Sequence, residues 1–146
     1  MKTTTRLNVL MLGATPATLQ ALNSSLSALD IDYSMLTISD IESLFSYLEK
    51  VPRKRPVILF LDASHHNCMM RIKTVRNTAV CDDITVAVYD PTGLCAEEEM
   101  FAAGANIYIH KQKDLQQFRE TLKKAISANW HFYASSLNRE TFFYCA

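Results

Sequence analysis

The stretch Val57-Ile58-Leu59-Phe60-Leu61-Asp62 decides the fold, because an unbroken apolar run ends there on a carboxylate. Such a run is typical of a strand buried on both faces, as in a parallel sheet covered by helices. Further runs with the character of strands are Asn8–Leu12, Ile31–Ile38, Ile84–Tyr89 and Asn106–His110. Lys111 closes the last of them, and the carboxyl ends of parallel strands open onto one crevice. We therefore expect Asp62 and Lys111 to meet there.

Segments with helical periodicity separate the predicted strands. The first has Thr15 as an N-cap and Pro16 at the first helical position. Ser39-Asp40-Ile41-Glu42 has the pattern of a capping box, and residues 115–126 place an apolar stripe along a long last helix. Five strand–helix pairs with short connections predict an α/β fold, a doubly wound parallel sheet of five strands flanked by five helices.

Composition limits the size and the surroundings of this domain. The chain has 146 residues, 49% of them hydrophobic, which suffices for one core but hardly for two. Its 15 basic and 15 acidic residues cancel, so no long-range field attracts nucleic acid or an anionic membrane. Neither a secretory signal nor a run of transmembrane length occurs, and we expect a cytoplasmic protein. We place the domain at residues 1–128, with a tail or the start of a linker to an output domain at 129–146.

The sequence lacks the common motifs of enzyme chemistry. It contains no glycine-rich phosphate loop, no nucleophile elbow and no paired catalytic acids. The four cysteines do not have the close spacing of a zinc or redox motif. We therefore expect no catalytic residue and no enzyme activity.

The segment Phe101–Lys111 resembles the A-x-x-A-G-A-x-x-Y-x-x-K pattern that leads from the fourth helix into the fifth strand of bacterial response-regulator receiver domains, the CheY-like family. The strand ending at Asp62 and the segment Leu12–Pro16 match in position, so the resemblance covers about residues 6–128. It implies a flavodoxin-like sheet in the order 2-1-3-4-5. It also implies that Asp62 is the phosphoacceptor and that Lys111 contacts the phosphoryl group.

The chain departs from this family where the metal is bound and the signal is transmitted. The acidic pair that follows strand one in typical receivers falls on Gly13 and Ala14, which supply no carboxylate. The Ser or Thr expected at the end of strand four falls on Tyr89 or Asp90, depending on the register. Phosphoryl transfer without its metal loses the main stabiliser of charge in the transition state. We therefore expect no magnesium binding, no metal site and no cofactor.

Two features allow alternative interpretations. Asp62 and Lys111 form either a structural ion pair or the remnant of a phosphorylation site at which Asp90 helps to bind a cation. Tyr108 has the position of the family's aromatic switch, whose ring moves between buried and exposed states. The alternative is an aromatic ring at a sheet edge with its hydroxyl in water.

Residues 128–137 resemble the segment that follows the receiver in regulators with a helix-turn-helix output domain of the LuxR or NarL type. The leading hypothesis is a phosphorylation-independent pseudo-receiver, a signalling and dimerisation module of a transcriptional regulator in two-component signalling. We expect a homodimer without an activator, through the face of helix four, strand five and the last helix rather than through helix one. A partner protein or DNA-binding output domain would lie outside this chain, which itself contacts neither nucleic acid nor membrane. The alternatives are a working aspartyl-phosphate acceptor with an atypical cation site at Asp62, and a stand-alone protein-binding adaptor.

Overall fold

Strands and helices alternate along the chain, and a computed structural model describes residues 7–13, 16–27, 33–50, 57–62, 68–78, 84–90, 96–110, 114, 116–124 and 144–145. The strands are β1 (Leu7–Leu12), β2 (Tyr33–Ile38), β3 (Val57–Asp62), β4 (Thr85–Tyr89), β5 (Ile107–Ile109) and β6 (Tyr144–Cys145). The helices are α1 (Pro16–Ser27), α2 (Ile41–Lys50), α3 (Cys68–Arg76), α4 (Glu97–Ala103) and α5 (116–124). No helix within these ranges is long and apolar enough to cross a membrane.

The sheet is parallel throughout, with its strands in the order β2-β1-β3-β4-β5-β6. The predicted doubly wound order 2-1-3-4-5 is therefore confirmed. β6 corrects the predicted number of strands, because Tyr144 and Cys145 pair with β5 although they lie in the segment that we assigned to a tail or linker. A strand of two residues is too short to show the alternation by which strands are recognised in a sequence.

The sheet separates two apolar cores, because neighbouring side chains of a strand point to opposite faces. All residues of β3 are buried, as expected of a strand with helices on both sides. The core that α2, α3 and α4 cover includes Leu10, Leu44, Leu59, Ile72, Val86 and Met100. The core that α1 and α5 cover includes Val9, Leu22, Leu26, Ile58, Phe118 and Leu122. Polar side chains with a function are therefore expected at the two ends of the sheet.

Aspartates begin two of the helices. The Asp40 carboxylate accepts a hydrogen bond from the Ser43 backbone N–H at 2.7 Å, and the Asp114 carboxylate accepts one from the Gln117 N–H at 2.8 Å. Each bond satisfies an N–H group that has no partner within the first helical turn. Asp40 is thus the N-cap of α2, one residue later than the Ser39 of the predicted capping box.

Arg76 joins α3 to the amino ends of β4 and β5. Its Nε donates to the Gly104 carbonyl at 2.6 Å, its Nη1 donates to the Ile84 carbonyl at 3.1 Å, and its Nη2 donates to Asn106 Oδ1. Asn106 Oδ1 also accepts from the Val86 N–H at 3.0 Å. Gly104 has a φ of 121°, and a Cβ on it would collide with the Arg76 side chain, so the turn requires glycine. We call Arg76, Gly104 and Asn106 the arginine clamp.

Candidate functional site

The carboxyl ends of β3 and β4 carry two buried carboxyl groups. Asp62 is the last residue of β3 and is 2% exposed, and Asp90 follows β4 and is 0% exposed. The Asp90 backbone N–H donates to the Ile109 carbonyl at 3.0 Å, which fixes the chain where it leaves β4. Two acids at the ends of neighbouring strands concentrate negative charge where the dielectric constant is low.

Tyr89 is level with Asp62 across the β3–β4 ladder and with Ile109 across the β4–β5 ladder. This register settles which residue of the strand-four end stands beside Asp62: it is Tyr89, not Asp90. The Tyr89 ring packs edge-on against Phe118 of α5, with ring centroids 5.1 Å apart and the planes at 74°. Burial, and then the negative charges of Asp62 and Asp90, raise the pKa of the Tyr89 hydroxyl. A neutral, bulky phenol therefore stands beside Asp62.

Tyr108 is buried, with only 1% of its side chain exposed. Its hydroxyl donates a hydrogen bond to Asp90 Oδ2 at 2.7 Å, and its ring packs edge-on against His110 with centroids 4.6 Å apart. The interpretation of Tyr108 as a ring at the sheet edge with its hydroxyl in water is therefore wrong. Asp90 lies at the end of the neighbouring strand and replaces water as the acceptor, and β6 lies outside β5.

Of the two positions at which we expect the family's acidic pair to be missing, the structure describes one. Gly13 follows β1 with a φ of 70°, a left-handed conformation that favours glycine, and it supplies no carboxylate. Ala14 and Lys111 lie outside the described residues, so the predicted pairing of Asp62 with Lys111 stays a prediction. Among the residues that the structure describes, no group of three or more His, Cys, Asp or Glu side chains could hold a metal ion.

The hydrogen bond between Tyr108 and Asp90 is the feature that sequence reasoning missed. Both residues were candidates for the switch, but they were not paired, because 18 positions separate them. The bond requires β4 and β5 to lie side by side with their carboxyl ends level, which the register of the sheet provides. The sequence signal for it is a tyrosine within one predicted strand and an acid directly after the strand before it.

The described part of this arrangement holds a hydroxyl group in place. One oxygen of Asp90 accepts the Tyr108 hydroxyl, and a hydrogen bond to a charged acceptor contributes about 1.5–3 kcal/mol. Asp62 keeps the position of an acceptor at the end of β3. The described part of the crevice thus contains Asp62 at the end of β3 and Tyr108, whose hydroxyl is held by a hydrogen bond to Asp90.

Comparison with protein-family models and with curated proteins gives no match. Solved structures do match. The isolated receiver domain of RcsB from Salmonella enterica serovar Typhimurium, in the apo form, has a TM-score of 0.67 at 16% identity, covering 95% of this chain and 92% of that one. The response regulator RPA3017 of R. palustris, from red light signalling, has a TM-score of 0.64 at 20% identity, covering 89% and 95%.

A response regulator from Thermotoga maritima has a TM-score of 0.60 at 22% identity, covering 82% of this chain and 97% of that one. At identities this low the likeness concerns the fold. The order of the parallel strands and the place of Asp62 at the end of β3 agree with it. The chain therefore has the CheY-like fold of response-regulator receiver domains.

Proposed function

We propose that the chain is a phosphorylation-independent receiver, which serves as a signalling and dimerisation module of a transcriptional regulator in the cytoplasm. The observation that carries this proposal is the hydrogen bond from Tyr108 to Asp90. The residue at the family's switch position is buried and bonded to a carboxylate of the chain itself. No phosphoryl group on Asp62 is needed to supply that acceptor.

The energy of this bond is large enough to bias a conformational equilibrium. A bond to a charged acceptor contributes about 1.5–3 kcal/mol, and about 1.4 kcal/mol changes an equilibrium constant tenfold. A ring held inward by Asp90 would therefore populate its outward position only rarely. The surface around β5 would keep one shape at all times, as a module without an activation step requires.

The residues around Asp62 support the same proposal. Gly13 offers no carboxylate to magnesium, and hard cations need several oxygen donors. Tyr89 stands level with Asp62 and packs on α5, where the family has a short hydroxyl side chain. Both differences remove a group, a carboxylate and a short hydroxyl side chain, with which a phosphorylated aspartate or its cation would interact.

Exposure to a phosphodonor tests the proposal. The chain is incubated with magnesium and acetyl phosphate, or with magnesium and beryllofluoride. Intact-mass spectrometry is expected to find no added phosphoryl group, and sedimentation is expected to find no change of oligomeric state. The Asp62→Asn variant is the matched control. An added phosphoryl mass that is present in the wild-type chain and absent from Asp62→Asn would establish phosphorylation and refute the proposal.

A working aspartyl-phosphate acceptor is the second candidate, and one observation favours it. Asp62 and Asp90 are both buried at neighbouring strand ends, and both charges act on Tyr89. Two carboxylates in this position could share a cation. Thermal unfolding with and without millimolar magnesium separates the candidates, because a bound ion raises the melting temperature by mass action and an unbound ion does not.

A further inference from the structure

α3 and α4 are neighbouring helices on one face of the sheet, and they carry opposite charges. α3 contains Arg71, Lys73 and Arg76 and no acidic residue. α4 begins with Glu97–Glu99 and contains no basic residue. A basic helix and an acidic helix therefore lie side by side on one surface of the protein.

The arginine clamp holds these two helices level with each other. Arg76, the last residue of α3, donates to the carbonyl of Gly104, the C-cap of α4, at 2.6 Å. Lys73 is three residues before Arg76, and Glu99 is five residues before Gly104. At a rise of about 1.5 Å per residue, Lys73 and Glu99 differ in height by only about 3 Å, less than the length of a lysine side chain.

The outward side chains of α3 and α4 form a surface that we call the charged face, and we define it as Met70, Lys73, Glu98 and Glu99. All four residues are exposed. Met70 is 66% exposed, more than any other large apolar side chain in the described part of the chain. No ion pair joins Lys73 to either glutamate among the described residues. Protein interfaces have this composition, because methionine is enriched in them and their rim is polar.

We propose that the charged face binds the same face of a second copy of this chain. The choice of a second copy rests on the proposed dimerisation function and on the charges. A partner of a single sign that one of the two helices attracts is repelled by the other. A twofold axis that runs between the two helices and parallel to them sets α3 of each copy on α4 of the other. Basic and acidic side chains then face each other at both contacts.

The charges also exclude the other twofold arrangement of this surface. An axis that runs across the helices would set α3 on α3 and α4 on α4, and like charges would face each other at both contacts. The chosen axis instead brings Met70 of each copy to the acidic helix of the other, at a height that a lysine side chain can bridge.

This contact differs from the face that we expected from the sequence. It retains α4 but involves α3 in place of β5 and the last helix. Tyr108 lies in β5 and takes no part in it, so the hydrogen bond from Tyr108 to Asp90 can persist in the dimer. Assembly through the charged face therefore needs no change around β5, as the proposed function requires.

Charge reversal tests the charged face by sedimentation equilibrium over the micromolar range. Lys73→Glu and Glu99→Lys each set like charges against each other at both contacts, and each is expected to raise the Kd of self-association about tenfold. The variant that combines both substitutions has opposite charges at both contacts again and is expected to associate like the wild-type chain. The controls are Lys123→Glu and Glu120→Lys, which change the charge equally at exposed positions of α5, on the other side of the sheet. They are expected to leave the Kd unchanged.

Mixing the two single variants separates association from damage to the fold. Lys73→Glu and Glu99→Lys are expected to associate with each other as tightly as wild-type copies do, because the mixed dimer again joins opposite charges at both contacts. A chain that failed to fold would not be rescued in this way. The wild-type dimer gives a measurement that needs no variant: its Kd is expected to rise when sodium chloride increases from about 0.05 M to about 0.5 M, because salt screens exposed charges.

The outcomes distinguish this contact from the proposed function. A wild-type chain that is monomeric at tens of micromolar would refute both the contact and the dimerisation function. A wild-type dimer that neither reversal weakens, or a combined variant that associates no better than the single variants, would refute the charged face and leave dimerisation through another surface. Assembly beyond the dimer would refute the twofold axis. An added phosphoryl mass on Asp62 would refute the phosphorylation-independent function and leave the charged face in place.

Discussion

The two ends of the sheet use buried polar side chains in opposite ways. At the amino end, the Arg76 guanidinium donates hydrogen bonds to oxygens of the chain itself, among them the Gly104 carbonyl and the Asn106 side-chain amide oxygen. At the carboxyl end, Asp62 and Asp90 gather negative charge beside the hydroxyl groups of two tyrosines. The first arrangement holds turns together, and the second holds the buried side chain of Tyr108 in one position. We therefore expect the loss of a hydrogen-bonding side chain to destabilise the fold more at the amino end than at the carboxyl end.

The largest effect is expected from breaking the arginine clamp. Arg76→Met keeps the apolar stem but leaves the carbonyls of Gly104 and Ile84 without this donor. Loss of a partly buried charged donor with several acceptors should cost about 3–5 kcal/mol of unfolding free energy. Denaturant unfolding measures it, and Lys73→Met, at an exposed position of the same helix, is the control and should cost little. Equal effects of the two substitutions would contradict the role of the clamp.

A smaller effect is expected at the carboxyl end from Tyr108→Phe. The substitution removes the donor to the buried Asp90 carboxylate and should cost about 1.5–3 kcal/mol. Tyr33→Phe is the matched control, because the Tyr33 hydroxyl donates to Asn23 Oδ1 at 3.2 Å on the surface. With Asp90→Ala and the double variant, Tyr108→Phe forms a cycle whose coupling energy isolates the bond. Additive effects would show that Tyr108 and Asp90 act independently.

The predicted pairing of Asp62 with Lys111 can be tested in the same way. Asp62→Ala should leave the charge of Lys111 uncompensated and destabilise the fold, and adding Lys111→Met should recover part of the loss. The coupling energy should be on the order of 1 kcal/mol or more if the pair is buried. Unfolding of the two single variants and the double variant measures it. A coupling energy of zero would mean that Asp62 and Lys111 do not stabilise each other.

A gain in stability is expected at the amino end from Thr85→Val. The Thr85 side chain is 0% exposed, and its hydroxyl has no hydrogen-bond partner within the described part of the chain. A valine of the same shape removes a buried polar group and should stabilise the fold by about 0.5–1 kcal/mol. Thr74→Val is the control, because the Thr74 hydroxyl donates to the Met70 carbonyl at 2.8 Å. It should not stabilise the fold.

The smallest effect concerns alkaline pH at the carboxyl end. Burial and the two carboxylates raise the pKa of Tyr89 above its usual 10.0 in the folded chain. Because its pKa is raised, the folded state holds the Tyr89 proton more tightly than the unfolded state does. The stability that this difference contributes is therefore fully present below pH 10 and is lost as the pH rises through the pKa that Tyr89 has in the folded state. Melting temperatures measured from neutral to alkaline pH should therefore fall less steeply above pH 10 in Tyr89→Phe than in the wild-type chain. Parallel curves would rule out this contribution.

Sequence patterns predicted the elements that are long and regular. The buried run of β3 ends at Asp62, the α2 helix begins within one residue of its predicted start, and the strand order follows the family resemblance. Short or isolated elements were not predictable in this way. β6 has two residues and no periodicity, and Arg76 has the appearance of an ordinary basic residue in the last turn of a helix.

The sequence by itself determined the α/β class, the acid at the end of β3 and the absence of a carboxylate at Gly13. These follow from local periodicity and residue identity, which need no knowledge of neighbours in space. Tertiary structure alone decided the contact of Tyr108 with Asp90, which are 18 positions apart, and that of Arg76 with Asn106, which are 30 apart. It also decided that Tyr144 and Cys145 lie on β5. Such contacts depend on strand register and on the meeting of distant segments, and neither is encoded in any single stretch of the chain.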